Sequence, residues 1–254
     1  MQRIKIISVS SLAAHKTASI KAQIAILGSA ILPVPTVILN GVASFPVITK
    51  QNIDFMPILE GVLHLSIFQG QKPFLFVGYL TVAEDIKILA DFIERNRNLL
   101  SGVLVDPISG DNDIPYIDSK IIAEWPKLLA LADFAFPNLT ELKLYSGLSE
   151  NEKDISNHIS AFEKRFPELN YIITSYADIP INGVLLKFGN KHYPIYHKNY
   201  SVKLDGTGDV FVAYFIKYHL LENRDPLKSC KKALDITLRH IKKSIKQNIA
   251  ELEI

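Results

Sequence analysis

Short apolar runs alternate along the chain with segments whose apolar residues recur at helical spacing. Residues 4–10 (IKIISVS) read as a strand. Residues 17–28 (TASIKAQIAILG) have helical spacing with Gly28 as a stop signal. Residues 35–40 (PTVILN), 73–80 (PFLFVGYL) and 102–107 (GVLVDP) read as further strands, and 83–98 (AEDIKILADFIERNRN) as a helix between the last two. Residues 119–132 (SKIIAEWPKLLALA) are helical, with Pro126 expected to kink or split them. A brief strand at 133–138, helices at 139–147 and 151–166, and a strand at 169–175 follow. Residues 183–189 and 191–202 pattern as a hairpin turning at Gly189 and Asn190, and two helices close the chain.

Strands that alternate with helices point to a mostly parallel sheet covered on both faces. The strands are near-continuous apolar runs, as expected where both faces are buried. No linker, repeat or low-complexity tract divides the chain, so residues 1–254 are expected to form one α/β domain with a late antiparallel hairpin. Residues 24–49 lack charge, but Pro33, Pro35, Pro46, Asn40 and Gly41 interrupt them. A bilayer asks for about 20 apolar helical residues, so a helix ending near Gly28 and a buried strand over 34–39 are expected instead. The N-terminal apolar run is too short for a signal peptide and lacks a small-residue cleavage site.

Composition narrows the picture modestly. With 48% hydrophobic and 21% charged residues the chain is of ordinary globular type. A net charge of +2 gives no global field for nucleic acid or membrane. Lys231, Lys232, Lys242, Lys243 and Lys246 recur at helical spacing and read as a solvated face. Cys230 is the single cysteine, which excludes an internal disulfide and favours a reducing compartment. It reads as a small packed residue rather than a reactive thiol. None of the seven histidines has zinc-site spacing. His192 and His197 are expected on the hairpin surface, and His64, His158, His219 and His240 on helices at the solvent edge.

Ligands of such sheets bind beyond the carboxyl ends of the strands. Ser10, Asn40, Tyr79, Asp106, Asp111, Asn138, Glu141, Thr174 and Ser175 fall there. Carboxylates at Asp106, Asp111, Glu141 and Asp209 suit magnesium held largely through water beside phosphates. Asn138 and Glu141 also fit a local capping pair. The turn DGTGD, residues 205–209, leads into VFVAYFIKYHLL, whose apolar positions 210, 211, 214, 215 and 218 make one helix face. A helix start offers unpaired N–H groups and positive potential, and Gly206 and Gly208 let an anion approach the backbone. A carboxylate in such an anion site is reasonable if Asp209 takes a proton from an attacking hydroxyl, as phosphoryl transfer requires. Alone, the turn is a weak signal and reads first as a polar loop whose Thr207 or Asp209 caps the helix.

Three stretches together carry a resemblance. GTGDVFVAYFI (206–216), VDPISGDND (105–113) and FPNLTELKLYSG (136–147) resemble, in order and spacing, the signatures of the pyridoxal kinases, the vitamin B6 kinases of the ribokinase-like superfamily. The resemblance runs from about Lys5 to the last helix. It implies a three-layer α/β/α sandwich and transfer of the γ-phosphoryl of ATP to the primary hydroxyl of pyridoxal or a related vitamer. It further implies magnesium, a monovalent cation such as potassium, and a cytoplasmic homodimer. Carried over by residue, it makes Asp209 the base and Gly206, Thr207 and Gly208 the anion hole. Asp106, Asp111 and Glu141 become the magnesium and nucleotide-phosphate group, with Asn138, Thr174 and Ser175 near the ATP phosphates. Ser10, Thr36 and Tyr79 become contacts to the pyridine ring.

The chain also departs from that pattern. Where family members carry a glycine-bearing segment of the form S-H-V-x-x-G-x-V-G-N after the first strand, this one has SSLAAHKTASIKA, with His15 out of register. TVILNGV lacks the histidine of a TVQFSNH-like segment, and Asp205 stands where an apolar residue is common. The phosphate half is kept and the acceptor half altered. Hydroxymethylpyrimidine kinase, another small-alcohol kinase of the superfamily, and a catalytically silent B6- or nucleotide-binding relative therefore stay open beside pyridoxal kinase.

Overall fold

The computed structural model describes residues 4–42, 46–149, 151–178, 181–198, 200, 204–247 and 252. In chain order the elements begin with β1 (Ile6–Ala13), α1 (Ser19–Leu27), β2 (Ile31–Leu39), β3 (Lys50–Asn52), α2 (Met56–Phe68) and β4 (Phe74–Val77). They continue with α3 (Ala83–Asn96), β5 (Gly102–Val105), β6 (Gly110–Asp111), β7 (Ile114–Pro115), α4 (Ser119–Leu131), β8 (Phe134–Ala135) and α5 (Leu139–Ser146). Then come α6 (Ile155–Arg165), β9 (Asn170–Asp178), β10 (Ile181–Phe188), β11 (Lys191–His197), α7 (Thr207–Ile216) and α8 (Pro226–Gln247). The strands are mostly parallel and flanked by helices, with the late antiparallel hairpin in place. The chain forms two compact units, Met1–Phe76 with Tyr200–Ile254, and Val77–Asn199.

In the first unit the strands neighbour one another in the order β4, β1, β2, β3. β1 pairs in parallel with β2 from Ile6↔Ile31 to Ala13↔Leu39, with a register shift between Ser10 and Ser11. β3 meets β2 only over Val37–Leu39, so Pro33 and Pro35, which have no N–H to give, lie outside that ladder. β1 is buried along nearly its whole length and extends to Ala13, three residues beyond its apolar run. α1 packs on β1 and α7, and α7 packs on α8. The spacing of α7 implied one buried face. Instead Val210, Phe211, Val212, Ala213, Phe215 and Ile216 are all buried, because α7 has packed neighbours on more than one side. α8 is amphipathic and buries Cys230, Ala233, Leu234, Thr237 and Ser244 while its lysines face outward. Burial pushes the Cys230 thiol up to about 12, consistent with a packed, unreactive residue. α2 was not expected from the sequence, because its apolar residues run around the helix without a helical period. It exposes Ile58, Leu65 and Phe68, the last at 90%.

In the second unit the order is β11, β10, β9, β8, β5. β8 is parallel to β5 and to β9. β10 is antiparallel to β9 and to β11, and the β10–β11 turn places Gly189 at φ +57°. α3 packs on α4 and α5 on α6. α4 runs unbroken through Pro126, so that residue does not split the helix. The wholly buried Trp125 and the buried Leu128 and Leu129 anchor the helix on both sides of the proline, which outweighs the one missing hydrogen bond.

One histidine departs from its expected place. His158 on α6 is buried, its Nδ1 2.8 Å from Ser146 Oγ and its Nε2 3.2 Å from the Glu152 carbonyl. Both ring nitrogens find partners, which makes burial tolerable. His192 lies on the hairpin surface, 2.6 Å from Glu163 Oε1. No helix among the described residues is long and apolar enough to cross a membrane.

Candidate active site

The first unit holds the DGTGD turn. Gly206 caps α7 in the left-handed region at φ +82°. A Cβ there would stand 2.2 Å from the Thr17 carbonyl oxygen, so both conformation and contact demand glycine. Around Gly208 the reverse holds: nothing lies within 4 Å of where its Cβ would be. Gly208 stands at the start of α7, where the N–H groups of Thr207 and Gly208 precede the first intrahelical bond, Val210 N–H to Gly206 C=O at 3.0 Å. The geometry is that of a site an anion can approach closely.

Asp209, in the first turn of α7, is half-buried. Its carboxylate accepts the backbone N–H of Ser19 and its own. Desolvation outweighs those two donors and lifts its pKa to about 6. The other members expected in this unit are Ser10 on β1 and Thr36 on β2. Both are almost completely buried, at 0% and 2% exposure, so neither hydroxyl lies on an open surface.

The second unit gathers the remaining candidates. Asp106 directly follows β5 and is buried, its N–H donating to Val77 C=O at 2.8 Å and its C=O accepting from Ile108 N–H at 2.8 Å. Asp111 on β6 is exposed and accepts from Asn112 Nδ2 at 2.7 Å. Tyr79 is half-buried, and desolvation raises its hydroxyl pKa. Asn138 and Glu141 form the reciprocal capping box at the start of α5. Asn138 also donates from Nδ2 to Gly110 C=O at 2.7 Å. Thr174 N–H donates to Pro137 C=O at 3.0 Å, and the exposed Ser175 accepts from Leu139 N–H at 3.1 Å. Asn138, Thr174 and Ser175 are thus drawn together around the start of α5.

Glu141 is 1% exposed. One carboxylate oxygen accepts Ser109 N–H at 2.9 Å and the other Asn138 N–H at 2.8 Å, with the Gly110 N–H as a third donor. Burial holds its pKa well above the usual carboxylate range, against the pull of these donors and with a small contribution from Asp111. With both oxygens engaged by backbone, Glu141 ties the 109–110 loop to α5 and is a poor direct metal ligand. Among the described residues no group of three or more His, Cys, Asp and Glu side chains is placed to hold a metal ion. The donor set therefore fits magnesium only through water at Asp106 and Asp111.

Sequence reasoning missed several residues around these groups. Ser109 hydrogen-bonds Tyr145 and Pro107 C=O inside the loop that Glu141 braces. Lys143 pairs with Asp113 at 2.7 Å, and Thr140 Oγ1 accepts Asp113 N–H at 2.9 Å. In the first unit Lys16 and Ser19 were missed because they meet the turn from the far side of a long stretch of intervening sequence.

No protein-family model matches the chain. A Schizosaccharomyces pombe protein provisionally named a pyridoxal kinase is 25% identical over 217 residues, covering 80% of this chain and 69% of that one. A Bordetella avium pyridoxine/pyridoxal/pyridoxamine kinase is 27% identical over 221 residues, covering 82% and 72%. The structure of Leishmania donovani pyridoxal kinase in complex with ADP and pyridoxamine superposes with a TM-score of 0.81 at 23% identity, over 95% of this chain and 87% of that one. In sequence this chain is similar to these pyridoxal kinases, and it shares the fold of the Leishmania donovani enzyme.

Proposed function

We propose that the chain, as one kinase domain over residues 1–254, transfers the γ-phosphoryl group of ATP to the primary hydroxyl of pyridoxal or a close B6 relative. The observation that carries this reading is the turn itself: an open backbone cradle at Gly208 beside a carboxylate whose pKa stands at about 6. A base with a pKa just under neutrality is mostly ionised at pH 7 yet still has a useful affinity for a proton. Asp209 takes the hydroxyl proton as the oxygen attacks phosphorus. The N–H groups of Gly206, Thr207 and Gly208 stabilise charge on the transferring phosphoryl oxygens. The nucleotide phosphates are assigned to Asn138, Thr174 and Ser175, which the start of α5 draws together.

Magnesium belongs to Asp106 and Asp111 through water, and when bound it neutralises phosphoryl charge. Glu141 serves that group by fixing the 109–110 loop. Tyr79 is assigned to the acceptor ring through its part-exposed surface, and Ser10 and Thr36 carry the same assignment. A monovalent cation such as potassium and a cytoplasmic setting complete the reading. The exposed Ile58, Leu65 and Phe68 on α2 support a homodimer, because a monomer seldom leaves such a row in water.

The test is a coupled ATP-turnover assay with pyridoxal, pyridoxine, pyridoxamine and hydroxymethylpyrimidine, each with and without magnesium and potassium. Turnover of a B6 vitamer is expected. Turnover of hydroxymethylpyrimidine alone would transfer the reading to the pyrimidine kinases. ATP binding without turnover of any acceptor would refute catalysis of this kind.

A further inference from the structure

The segment between β1 and α1 is fastened to its own unit at both ends. Ala14 N–H donates to Leu39 C=O at 2.8 Å and His15 N–H to Asn40 C=O at 3.0 Å. Ser11 Oγ donates to Ser19 Oγ at 3.0 Å in a buried contact, and Lys21 Nζ closes the loop on Ala14 C=O at 2.9 Å. Between these anchors, three contacts reach the DGTGD turn. Lys16 Nζ lies 3.7 Å from Asp205 Oδ2, the two side chains 13% and 23% exposed. The Thr17 carbonyl abuts Gly206 so closely that a Cβ there has no room. Ser19 N–H donates to the Asp209 carboxylate. Two residues of this short segment, Lys16 at φ +72° and Ser19 at φ +48°, occupy the left-handed region without being glycine. Such conformations persist where surrounding contacts impose them, and they concentrate at functional sites.

We propose that residues 14–19 form a strap that positions the catalytic base, with Lys16 and Asp205 as its latch and the Ser19 N–H as its hold on Asp209. This deepens the kinase reading and rests on it. Ser19 and Lys16 are positioning residues: they act on the base and not on the substrate. The two departures noted in the sequence, SSLAAHKTAS and Asp205, become halves of one contact. A partly exposed pair at 3.7 Å adds little to stability. The pair can therefore be broken without losing the fold, while a small displacement of a base is heavily felt in rate.

The experiment compares wild type with Lys16→Met, Asp205→Asn and the exchanged pair Lys16→Asp with Asp205→Lys. It reads kcat, KM for ATP, melting temperature and the amide exchange rate of Ser19 in each. Each single variant is expected to lower kcat by roughly three- to tenfold, with KM for ATP and melting temperature nearly unchanged and Ser19 exchange accelerated. The exchanged pair is expected to recover most of the loss. Wild-type kcat in both single variants would overturn the strap while leaving the kinase reading intact. A rate loss that tracks a fall in melting temperature and is not rescued by the exchanged pair would also overturn it. Absence of turnover in the wild type would defeat the kinase reading. Ser19 exchange would then judge the strap: acceleration in Lys16→Met supports it, and an unchanged rate overturns it.

Discussion

Replacing Asp209 by asparagine should sharply lower turnover and, at the same time, stabilise the protein above neutral pH. Desolvation raises this carboxyl from 3.8 to about 6 on folding. A group raised in this way contributes stability that is fully present below its unfolded pKa and is lost as pH climbs through its folded pKa. At pH 8 the native protein therefore bears the cost of an ionised, partly desolvated carboxylate. The rise corresponds to roughly 3 kcal/mol at most. Asp209 keeps some solvent contact, and screening brings this down to about 1–2 kcal/mol. For a chain of this size that is about 2–8 °C in melting temperature. Thermal melts of wild type and Asp209→Asn should coincide well below pH 3.8, diverge between 3.8 and about 6, and stay apart at pH 8 with the variant higher. Turnover should fall about a hundredfold or more, the usual scale for a lost general base, with ATP binding retained. A variant that keeps wild-type turnover would refute the role of Asp209, and one whose melting temperature follows wild type at every pH would refute its desolvated environment.

Gly206→Ala and Gly208→Ala should separate fold from function: the first collides with the Thr17 carbonyl and lowers melting temperature, whereas the second meets no protein atom and should lower kcat at unchanged melting temperature. Glu141→Gln sets an amide NH2 against backbone donors, so a loss of about 1–3 kcal/mol is expected, read as a lower denaturant midpoint. Pro126→Ala restores a hydrogen-bonding N–H inside α4 and should raise the denaturant midpoint without changing kinetics.

What the sequence disclosed was local. Gly28, Gly189 and the capping pair Asn138 and Glu141 announce their structures within a few residues, and the structure has them as expected. The DGTGD turn is likewise a contiguous signal. Pro126 does not split α4 because the hydrophobic anchoring around it is a tertiary effect. His158 misled because its partners, Ser146 and Glu152, become visible only once α5 and α6 pack. The contacts of Lys16, Thr17 and Ser19 with residues 205–209 could not be read at all, since nothing in a linear pattern pairs positions so far apart. Glu141 illustrates the middle case. Its cap is local and legible, whereas its second duty toward Ser109 is long-range and was not.

The two prolines of β2 bear on how the protein behaves in crowded solution. Among the described residues β3 covers only the last three residues of that strand, which leaves the earlier stretch as a rim that another extended chain would meet. Pro33, exposed, and Pro35, half-buried, supply no N–H there. A visiting strand would find gaps at alternate rungs and could not zip up. The same two residues that argued against a membrane helix thus keep neighbouring molecules from adding to the strand, and concentrated protein should stay free of fibrous assembly along that rim.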